Sequence, residues 1–207
     1  ISIRYCHMDK NLLTAIKDKN CIYRNIKLTY PVISGSAKNI AIVKSNELIR
    51  NYSFQFIRLN IPEYDIAESG CCHYKINIAN EKIISTSYLL QARFSELKKI
   101  YTSMGSINIF FEDGSILKQD VLFIKGSNYL NLINETIEGE ILKKKLLLIR
   151  DFKGLDSEFN FYIKPGYLVV YFQLYEYTPY IYGIPQFYIS LEKFSTRYSM
   201  ANYIHCY

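Results

Sequence analysis

The sequence predicts an α+β fold of two small units packed together, each a sheet with one helix lying on it. Two observations indicate this class. Short segments with a two-residue apolar period are separated mainly by hairpin turns, and two longer segments have the three- and four-residue period of a helix. The chain has 207 residues and a hydrophobic fraction of 49%, which is enough to bury a sizeable core. The predicted domains are residues 20–80 and 81–194.

The first unit is predicted to begin with a strand over residues 22–33, whose side chains alternate and which has Pro31 near its end. Ser36 is the predicted N-cap of the helix that follows. One apolar stripe on this helix must lie on a sheet, and its members are Ile40, Ala41, Leu48, Ile49, Tyr52 and Phe56. Residues 59–70 form the predicted connector to the next strand.

Two antiparallel hairpins are predicted in the middle of the chain. Asp113 and Gly114 tolerate the positive φ angles of a tight turn, so they mark the second of these hairpins. The predicted strands are residues 72–79, 83–94, 106–111 and 115–118, with the first turn at residues 80–82.

A second helix is predicted to run from an N-cap at Ser127 to about Lys144. One face of this helix is apolar and carries Leu130, Ile133, Ile137 and Ile141. Three consecutive lysines, residues 143–145, fall where the helix ends and where cations offset the helix dipole. We prefer this interpretation to a dedicated anion-binding patch. Residues 152–159 are a predicted loop.

The most aromatic part of the chain, residues 161–194, is predicted to contain the closing strands. Residues 167–172 alternate as a strand and are apolar on both faces, which is typical of a central strand. A second short strand over residues 186–191 follows a bend. Four tyrosines lie between these strands, around Pro179, and are the candidate ligand-binding residues: Tyr175, Tyr177, Tyr180 and Tyr182. They either present contact area to a partner or cap the core.

The same segment resembles a family signature. A strand ends in an aromatic-glutamine triplet and is followed by an aromatic-proline turn and a glycine-proline bend: Tyr171-Phe172-Gln173, Tyr175-Glu176, Thr178-Pro179-Tyr180 and Gly183-Ile184-Pro185. This pattern is similar to that of a bacterial extracytoplasmic family. Its members include the outer domain of RsiV-type anti-sigma factors, which act as lysozyme receptors, and the N-terminal module of PdaC-type peptidoglycan deacetylases.

Two further matches extend the resemblance over residues 22–194. The family's hairpin, connector and helix resemble residues 113–115, 121–123, 126–130 and 133–134, and its companion module resembles residues 26–33 before a helix. On this resemblance residues 20–80 are a PdaC/RsiV-like module and residues 81–194 an RsiV-like module. Relatives commonly carry a Gly-Gly-Ala-His type motif where this chain has residues 98–105, which contain no histidine.

The resemblance implies a non-catalytic binding or sensing module of the bacterial cell envelope, extracytoplasmic and either secreted or anchored to the cell surface, with no cofactor. The expected ligand is a cell-wall glycan or another anionic polymer, or an envelope protein. The alternative is a peptidoglycan-acting hydrolase or an accessory module of one. No apolar run is long enough to span a membrane, so we expect membrane contact only through an anchor preceding Ile1.

The charge of the chain bears on its partners. The formal net charge of +6 favours anionic ligands. Lysozymes of the type that the relatives bind are basic, and like charges slow encounter, so lysozyme is disfavoured. No nucleic-acid-binding motif accompanies the charge, and nucleic acid is not an expected partner.

The five cysteines are an odd number, so they cannot all pair within the chain. Free buried thiols are the preferred interpretation, and Cys6 with Cys21 or with Cys206 are the alternative disulfides. A bond between the neighbours Cys71 and Cys72 would close a strained ring.

No catalytic or metal-binding residue is predicted. Each histidine adjoins a cysteine, but adjacent strand residues point to opposite faces and no pair has the CxxC spacing of a zinc site: Cys6-His7, Cys72-His73 and His205-Cys206. We interpret five loop and turn carboxylates as solvated charges rather than a glycosidase pair: Glu63, Asp65, Glu68, Glu112 and Asp113. Neither a GxSxG elbow nor a glycine-rich phosphate loop occurs.

Overall fold

The computed structural model describes residues 15–61, 67–95, 100–123 and 126–194. It confirms the α+β class, with antiparallel hairpins in two sheets and helices beside them. The chain divides into two compact units, an N-terminal unit that ends at Ile116 and a C-terminal unit that continues from Leu117. The boundary predicted between residues 80 and 81 falls within the N-terminal unit.

The N-terminal unit is a sheet whose strands pair in chain order. Strands β2 and β3 are parallel because a helix returns the chain between them, and every other neighbouring pair is antiparallel. The elements are β1 Ile16–Tyr23, β2 Ile26–Ile33, α1 Ile40–Asn60, β3 Ser69–Ala79, β4 Ile83–Arg93, β5 Tyr101–Phe110 and β6 Ser115–Ile116.

The single strand predicted over residues 22–33 is wrong, because β1 and β2 meet there in a hairpin. Tyr23 pairs with Ile26, and the two residues between them, Arg24 and Asn25, have φ angles of 51° and 62°. Two successive positive φ angles belong to a type I′ turn, whose twist matches that of paired strands. Arginine is not a residue that predicts such a turn. Because side chains alternate without a break over residues 22–33, the sequence gives no sign of the turn.

The side chains of this turn hold the connector that follows α1. Arg24 Nη1 donates to the carbonyl of Ile61, and Asn25 Nδ2 donates to the carbonyl of Ala67 at 3.0 Å. The β1–β2 turn is therefore fixed on its outer side as well as by strand pairing.

Helix α1 begins later than predicted. Its N-cap is Asn39, whose Oδ1 accepts the Ile42 N–H at 3.2 Å. The predicted cap, Ser36, instead accepts the Lys38 N–H at 3.2 Å in a turn that precedes the helix. Ile40, the first residue of the predicted apolar stripe, is consequently exposed.

The buried face of α1 packs on the sheet around Tyr88 of β4. Ile49 and Phe56 of the predicted stripe are buried there, and Ile57, which was not part of that stripe, is buried with them. Ser53 Oγ donates to the Ile49 carbonyl at 2.7 Å and lies 3.1 Å from the Tyr88 hydroxyl, so the buried phenol has a polar partner. Burial raises the pKa of Tyr88 above its ordinary value.

Gly105 of β5 lies directly beneath α1. A Cβ atom on this residue would lie 2.7 Å from Phe56 Cε2 and would also collide with the hydroxyl of Tyr52. The rings of Tyr52 and Phe56 stack with centroids 6.0 Å apart. The glycine thus lets two aromatic side chains of the helix rest on the backbone of the sheet.

Both predicted hairpins are confirmed, although the first strand of each starts earlier than expected. The β3–β4 pairing extends from Ser69 opposite Arg93 to Ala79 opposite Ile84. Strand β5 begins at Tyr101, five residues before the predicted start at residue 106. The intervening residues 101–105 lack the apolar alternation that marks a strand, and they are placed by pairing with β4.

The C-terminal unit contains a short helix, a longer helix and a second sheet. Its elements are α2 Gln119–Leu122, α3 Tyr129–Lys143, β7 Phe161–Lys164, β8 Tyr167–Tyr171 and β9 Gln186–Ser190, with 3₁₀ turns at Tyr180–Tyr182 and Leu191–Phe194. The sheet order β7-β8-β9 makes β8 the central strand, as its double-sided apolar pattern predicts. Helix α2 has no counterpart in the sequence-based prediction.

The apolar face of α3 is buried as predicted through Ile133, Ile137 and Ile141. The predicted N-cap at Ser127 is wrong: Asn128 occupies that position and makes no side-chain capping bond. The first turn is instead held by the ring of Tyr129, which stacks on Phe123 with centroids 4.0 Å apart.

Three cysteines fall within the described residues, and all three are free thiols: Cys21, Cys71 and Cys72. Cys72 is buried beneath α1, and burial raises its pKa to about 12, with a smaller contribution from the neighbouring Cys71. Cys6 and Cys206, the partners in the alternative disulfides, lie outside the described residues.

We expect Gly105→Ala to destabilise the N-terminal unit by about 1–3 kcal/mol, because the added methyl group overpacks the contact with Tyr52 and Phe56. The free energy of unfolding is measured in urea. Gly139→Ala on α3 is the matched control, since a methyl group added there would meet no atom within 4 Å and alanine favours a helix by roughly 0.5–1 kcal/mol. Equal effects of the two substitutions would contradict the close approach at Gly105.

We expect the two adjacent cysteines to differ in reactivity. Iodoacetamide at pH 8 should alkylate half-buried Cys71 faster than Cys72, because the raised pKa of Cys72 leaves almost no thiolate at that pH and burial blocks access. Tandem mass spectrometry locates the modified residue in the shared peptide. Unfolding in urea should abolish the difference, and an equal rate in the native protein would show that Cys72 is not buried.

Candidate binding surface

The four candidate tyrosines lie in residues 172–185, which connect β8 to β9 and which we name the corner. A tight turn opens it: Gln173 N–H donates to Glu176 Oε2 at 2.7 Å, and Glu176 N–H returns to the Gln173 carbonyl at 3.1 Å. Tyr175 lies between them with a φ of 61°, a left-handed conformation that bulky residues rarely adopt. The corner is therefore held in one backbone conformation by its own hydrogen bonds.

A 3₁₀ turn closes the corner. Tyr182 N–H donates to the Pro179 carbonyl at 3.1 Å, and Gly183 N–H donates to the Tyr180 carbonyl at 2.9 Å. Gly183 has a φ of 63° and a ψ of −137°, a region open only to glycine. Phe172 N–H then donates to the Pro185 carbonyl at 3.1 Å, which joins the two ends of the corner.

Tyr177 is part of the scaffold of the corner. Its ring lies against Phe172 and Phe152, with centroids 4.6 and 5.3 Å away. Arg150 Cζ lies 4.4 Å from the centroid of this ring, within the range of a cation–π contact. The Tyr177 carbonyl also accepts the Ile149 N–H at 2.9 Å. The side chain of Tyr177 therefore stabilises the corner rather than forming its exposed surface.

Tyr182 is also tied to the unit. Its hydroxyl accepts the Leu147 N–H at 3.3 Å, and its side chain is half-buried. This contact links the 3₁₀ turn to the segment that follows α3.

Tyr175 and Tyr180 are the two candidates that face solvent. They are 52% and 45% exposed, and their rings stack at 30° with centroids 6.0 Å apart. Ile181, which follows directly, is 84% exposed and was not predicted as a surface residue. We name Tyr175, Tyr180 and Ile181 the corner patch. Its apolar area is displayed on a backbone that the internal hydrogen bonds of the corner hold in place.

A second tyrosine surface lies on one face of the β7–β9 sheet, and sequence reasoning did not find it. Tyr167 and Tyr188 are both about two-fifths exposed, and their rings meet edge to face at 6.0 Å. Lys164 Nζ lies 5.1 Å from the Tyr188 ring. Beside them, Tyr162 OH donates to Gln186 Oε1 at 2.9 Å, and burial raises the pKa of Tyr162. The signal was the strand alternation, which places these side chains on one face.

The carboxylates considered for catalysis are not assembled within the described residues. Asp113 accepts the backbone N–H and the hydroxyl of Ser115 at 2.9 and 2.7 Å, and these bonds hold its pKa below the usual value. It therefore shapes the β5–β6 turn. Glu68 and Glu112 are exposed, and Glu63 and Asp65 lie outside the described residues.

The Cys-His pairs do not form a metal centre in the part of the chain that the structure describes, where no group of three His, Cys, Asp or Glu residues could hold an ion. Cys72 faces the core and His73 faces solvent, as expected for neighbours on a strand. Cys6-His7 and His205-Cys206 lie outside the described residues.

The lysine run after α3 interacts with the helix itself. Lys143 and Lys144 form ion pairs with Glu140 at 3.6 and 3.0 Å, and Lys145 has a φ of 50° where the helix ends. Across the described residues, no helix is both long and apolar enough to span a membrane.

Comparison with known proteins finds one family model that matches the sequence of the C-terminal unit. The family model of DUF3298, proteins of unknown function, matches residues 120–192, which include α3, the β7–β9 sheet and the corner. No curated protein matches the chain.

Two solved structures are similar in fold. A DUF3298 family protein from Pseudomonas aeruginosa PAO1 has a TM-score of 0.64 and 12% identity, covering 93% of this chain and 95% of that protein. A member of the same family from Bacteroides fragilis NCTC 9343 has a TM-score of 0.56 and 12% identity, covering 92% and 94%. The chain therefore contains a DUF3298 match, and its fold is similar to that of DUF3298 family proteins.

Proposed function

We propose that this protein is a non-catalytic binding module of the bacterial cell envelope, located outside the cytoplasm, and that its corner patch binds cell-wall glycan. The observation that supports this most is the exposed, stacked pair Tyr175 and Tyr180 on a corner held by its own hydrogen bonds. Rigid tyrosines supply contact area at a low cost in side-chain entropy, and their ring faces suit the apolar face of a sugar.

The packing inside the corner supports a role in recognition. Tyr177 and Tyr182 have contacts that hold the corner, whereas Tyr175 and Tyr180 retain about half of their surface in solvent. Exposed apolar side chains that adjoin one another, in contrast to singly scattered ones, are a feature of interaction sites.

The net charge supports an anionic wall polymer over lysozyme. The chain carries +6, so a polymer bearing phosphate or carboxylate groups is attracted, while a basic lysozyme is repelled. The resemblance to RsiV-type receptors and PdaC-type modules supports the envelope location, and that finer kinship is part of the proposal.

A second candidate is an envelope protein as the partner of the same patch. Ile181 favours it, because an aliphatic side chain that is 84% exposed suits a protein pocket better than a sugar. Ile181→Ala should then weaken binding to the partner as much as Tyr180→Ala does, whereas glycan binding should depend mainly on the tyrosines.

We expect Tyr175→Ala and Tyr180→Ala each to weaken binding to purified cell walls about tenfold, since the loss of one aromatic anchor commonly costs at least about 1.4 kcal/mol. Sedimentation with walls at increasing protein concentration measures the affinity. Walls stripped of their anionic polymers show whether the glycan or the polymer is bound.

Tyr167→Ala is the matched control, because it removes a similarly exposed tyrosine from the second tyrosine surface. Binding that falls with Tyr167→Ala and not with the corner variants would place recognition on that second surface and contradict the assignment to the corner patch. No binding of the unmodified protein to walls would overturn the proposal. Turnover of peptidoglycan fragments that is lost in Glu112→Gln would show a hydrolase instead.

A further inference from the structure

A pocket of about 340 Å³ opens beside helix α1 at the end of strand β1. Its lining residues are Tyr23, Arg50, Asn51, Phe54, Gln55 and Arg58. The volume lies at the lower end of the roughly 300–1,000 Å³ range of small-molecule sites. The pocket belongs to the N-terminal unit and shares no residue with the corner patch.

The aromatic wall of the pocket is fixed in place. The rings of Tyr23 and Phe54 meet edge to face with centroids 5.0 Å apart, and Tyr30 supports Phe54 from the core side at 6.0 Å. Tyr23 is the last residue of β1, next to the turn whose Arg24 and Asn25 side chains bond the ends of the connector. A ligand with an apolar ring face can therefore pack against this preformed aromatic surface.

The polar side of the pocket comes from helical spacing. Arg50, Phe54 and Arg58 follow one another at four-residue intervals, so they lie on one face with a rise of about 6 Å between neighbours. Arg50 Cζ lies 5.8 Å from the Phe54 ring centroid. Asn51 and Gln55 lie one position further along the chain and add amide donors and acceptors to the same opening.

The two arginines have no carboxylate partner within the described residues. Helix α1 has one acidic residue, Glu47, and three basic ones, and Glu47 forms no ion pair with Arg50, which is three residues away. Both side chains are exposed, and a planar guanidinium is suited to bidentate binding of an oxyanion.

We propose that this pocket binds a monosaccharide-sized ligand that carries an oxyanion, either a phosphate or a carboxylate. The ring of the ligand packs on Phe54 and Tyr23, its oxyanion is held by the guanidinium groups of Arg50 and Arg58, and its hydroxyls bond the amides of Asn51 and Gln55.

Titration of the full chain with glucose 1-phosphate, glucuronate and glucose, followed by NMR chemical shifts, tests the proposal. Both anions should bind and shift the amide signals of α1 residues 50–58, and glucose should bind at least about tenfold more weakly, since a hydrogen bond to a charged group is stronger than a neutral one. Binding of only glucose 1-phosphate or only glucuronate also supports the site, and it shows which oxyanion the site recognises.

Arg50→Gln and Arg58→Gln should each weaken anion binding about tenfold. Lys75→Gln is the charge-matched control, because Lys75 is an exposed β3 residue outside the pocket and its loss lowers the net charge equally. Arg50→Lys keeps the charge and should restore only part of the affinity, because an ammonium lacks the planar fork.

Two outcomes would overturn the site. One is no saturable shift with either anion. The other is equal weakening by Lys75→Gln and by the arginine variants, which would show attraction to net charge alone. Neither outcome depends on wall binding by the corner patch, because the probes are soluble and the tyrosines are unchanged.

Discussion

The close approach of helix α1 to strand β5 is the constraint on which the N-terminal unit depends. Gly105 has no side chain to hold the helix away from the strand, and Tyr52 and Phe56 occupy the space above its Cα. The buried hydroxyls of Ser53 and Tyr88 then satisfy each other under the helix. With its inner face fixed in this way, α1 places Phe54 against Tyr23 and Tyr30 and leaves Arg50 and Arg58 exposed beside it. The pocket is therefore a consequence of how the helix packs on the sheet.

In the corner of the C-terminal unit, buried packing likewise fixes the position of exposed side chains. Phe172 at the end of β8 is buried, and Tyr177 packs on it while its carbonyl bonds Ile149. These contacts, together with the glycine conformation at Gly183, leave the corner little freedom. Tyr175 and Tyr180 are consequently displayed instead of collapsing onto the core. The binding that we propose for the corner patch would therefore cost little conformational entropy.

Aromatic residues stabilise the structure where they are buried, and we assign the proposed recognition to exposed ones. Tyr88, Tyr162 and Tyr171 are almost fully buried and stabilise the sheets, whereas Tyr175 and Tyr180 are about half exposed. Cationic side chains divide in the same way. Lys143 and Lys144 pair with Glu140 at the end of α3, while the arginines of α1 have no acidic partner in the described residues. Composition and net charge do not separate buried from exposed tyrosines or paired from unpaired cations, because these differences depend on which residues are neighbours in space.

The periodicity of the sequence by itself determined the α+β class, both main helices and the central position of the strand within residues 167–172. The reason is that the spacing of apolar residues shows which side of a helix or strand must be buried. The tertiary structure decided the features that local spacing predicts ambiguously, namely turn positions, helix caps and the exposure of individual side chains. Arg24 and Asn25 became a turn inside an apparently continuous strand, and Asn39 became the cap in place of Ser36. It also sorted the four candidate tyrosines into two anchors and two surface residues and brought Tyr23 to the arginines of α1. These outcomes depend on contacts between residues far apart in the chain, which a single sequence does not encode as a local pattern.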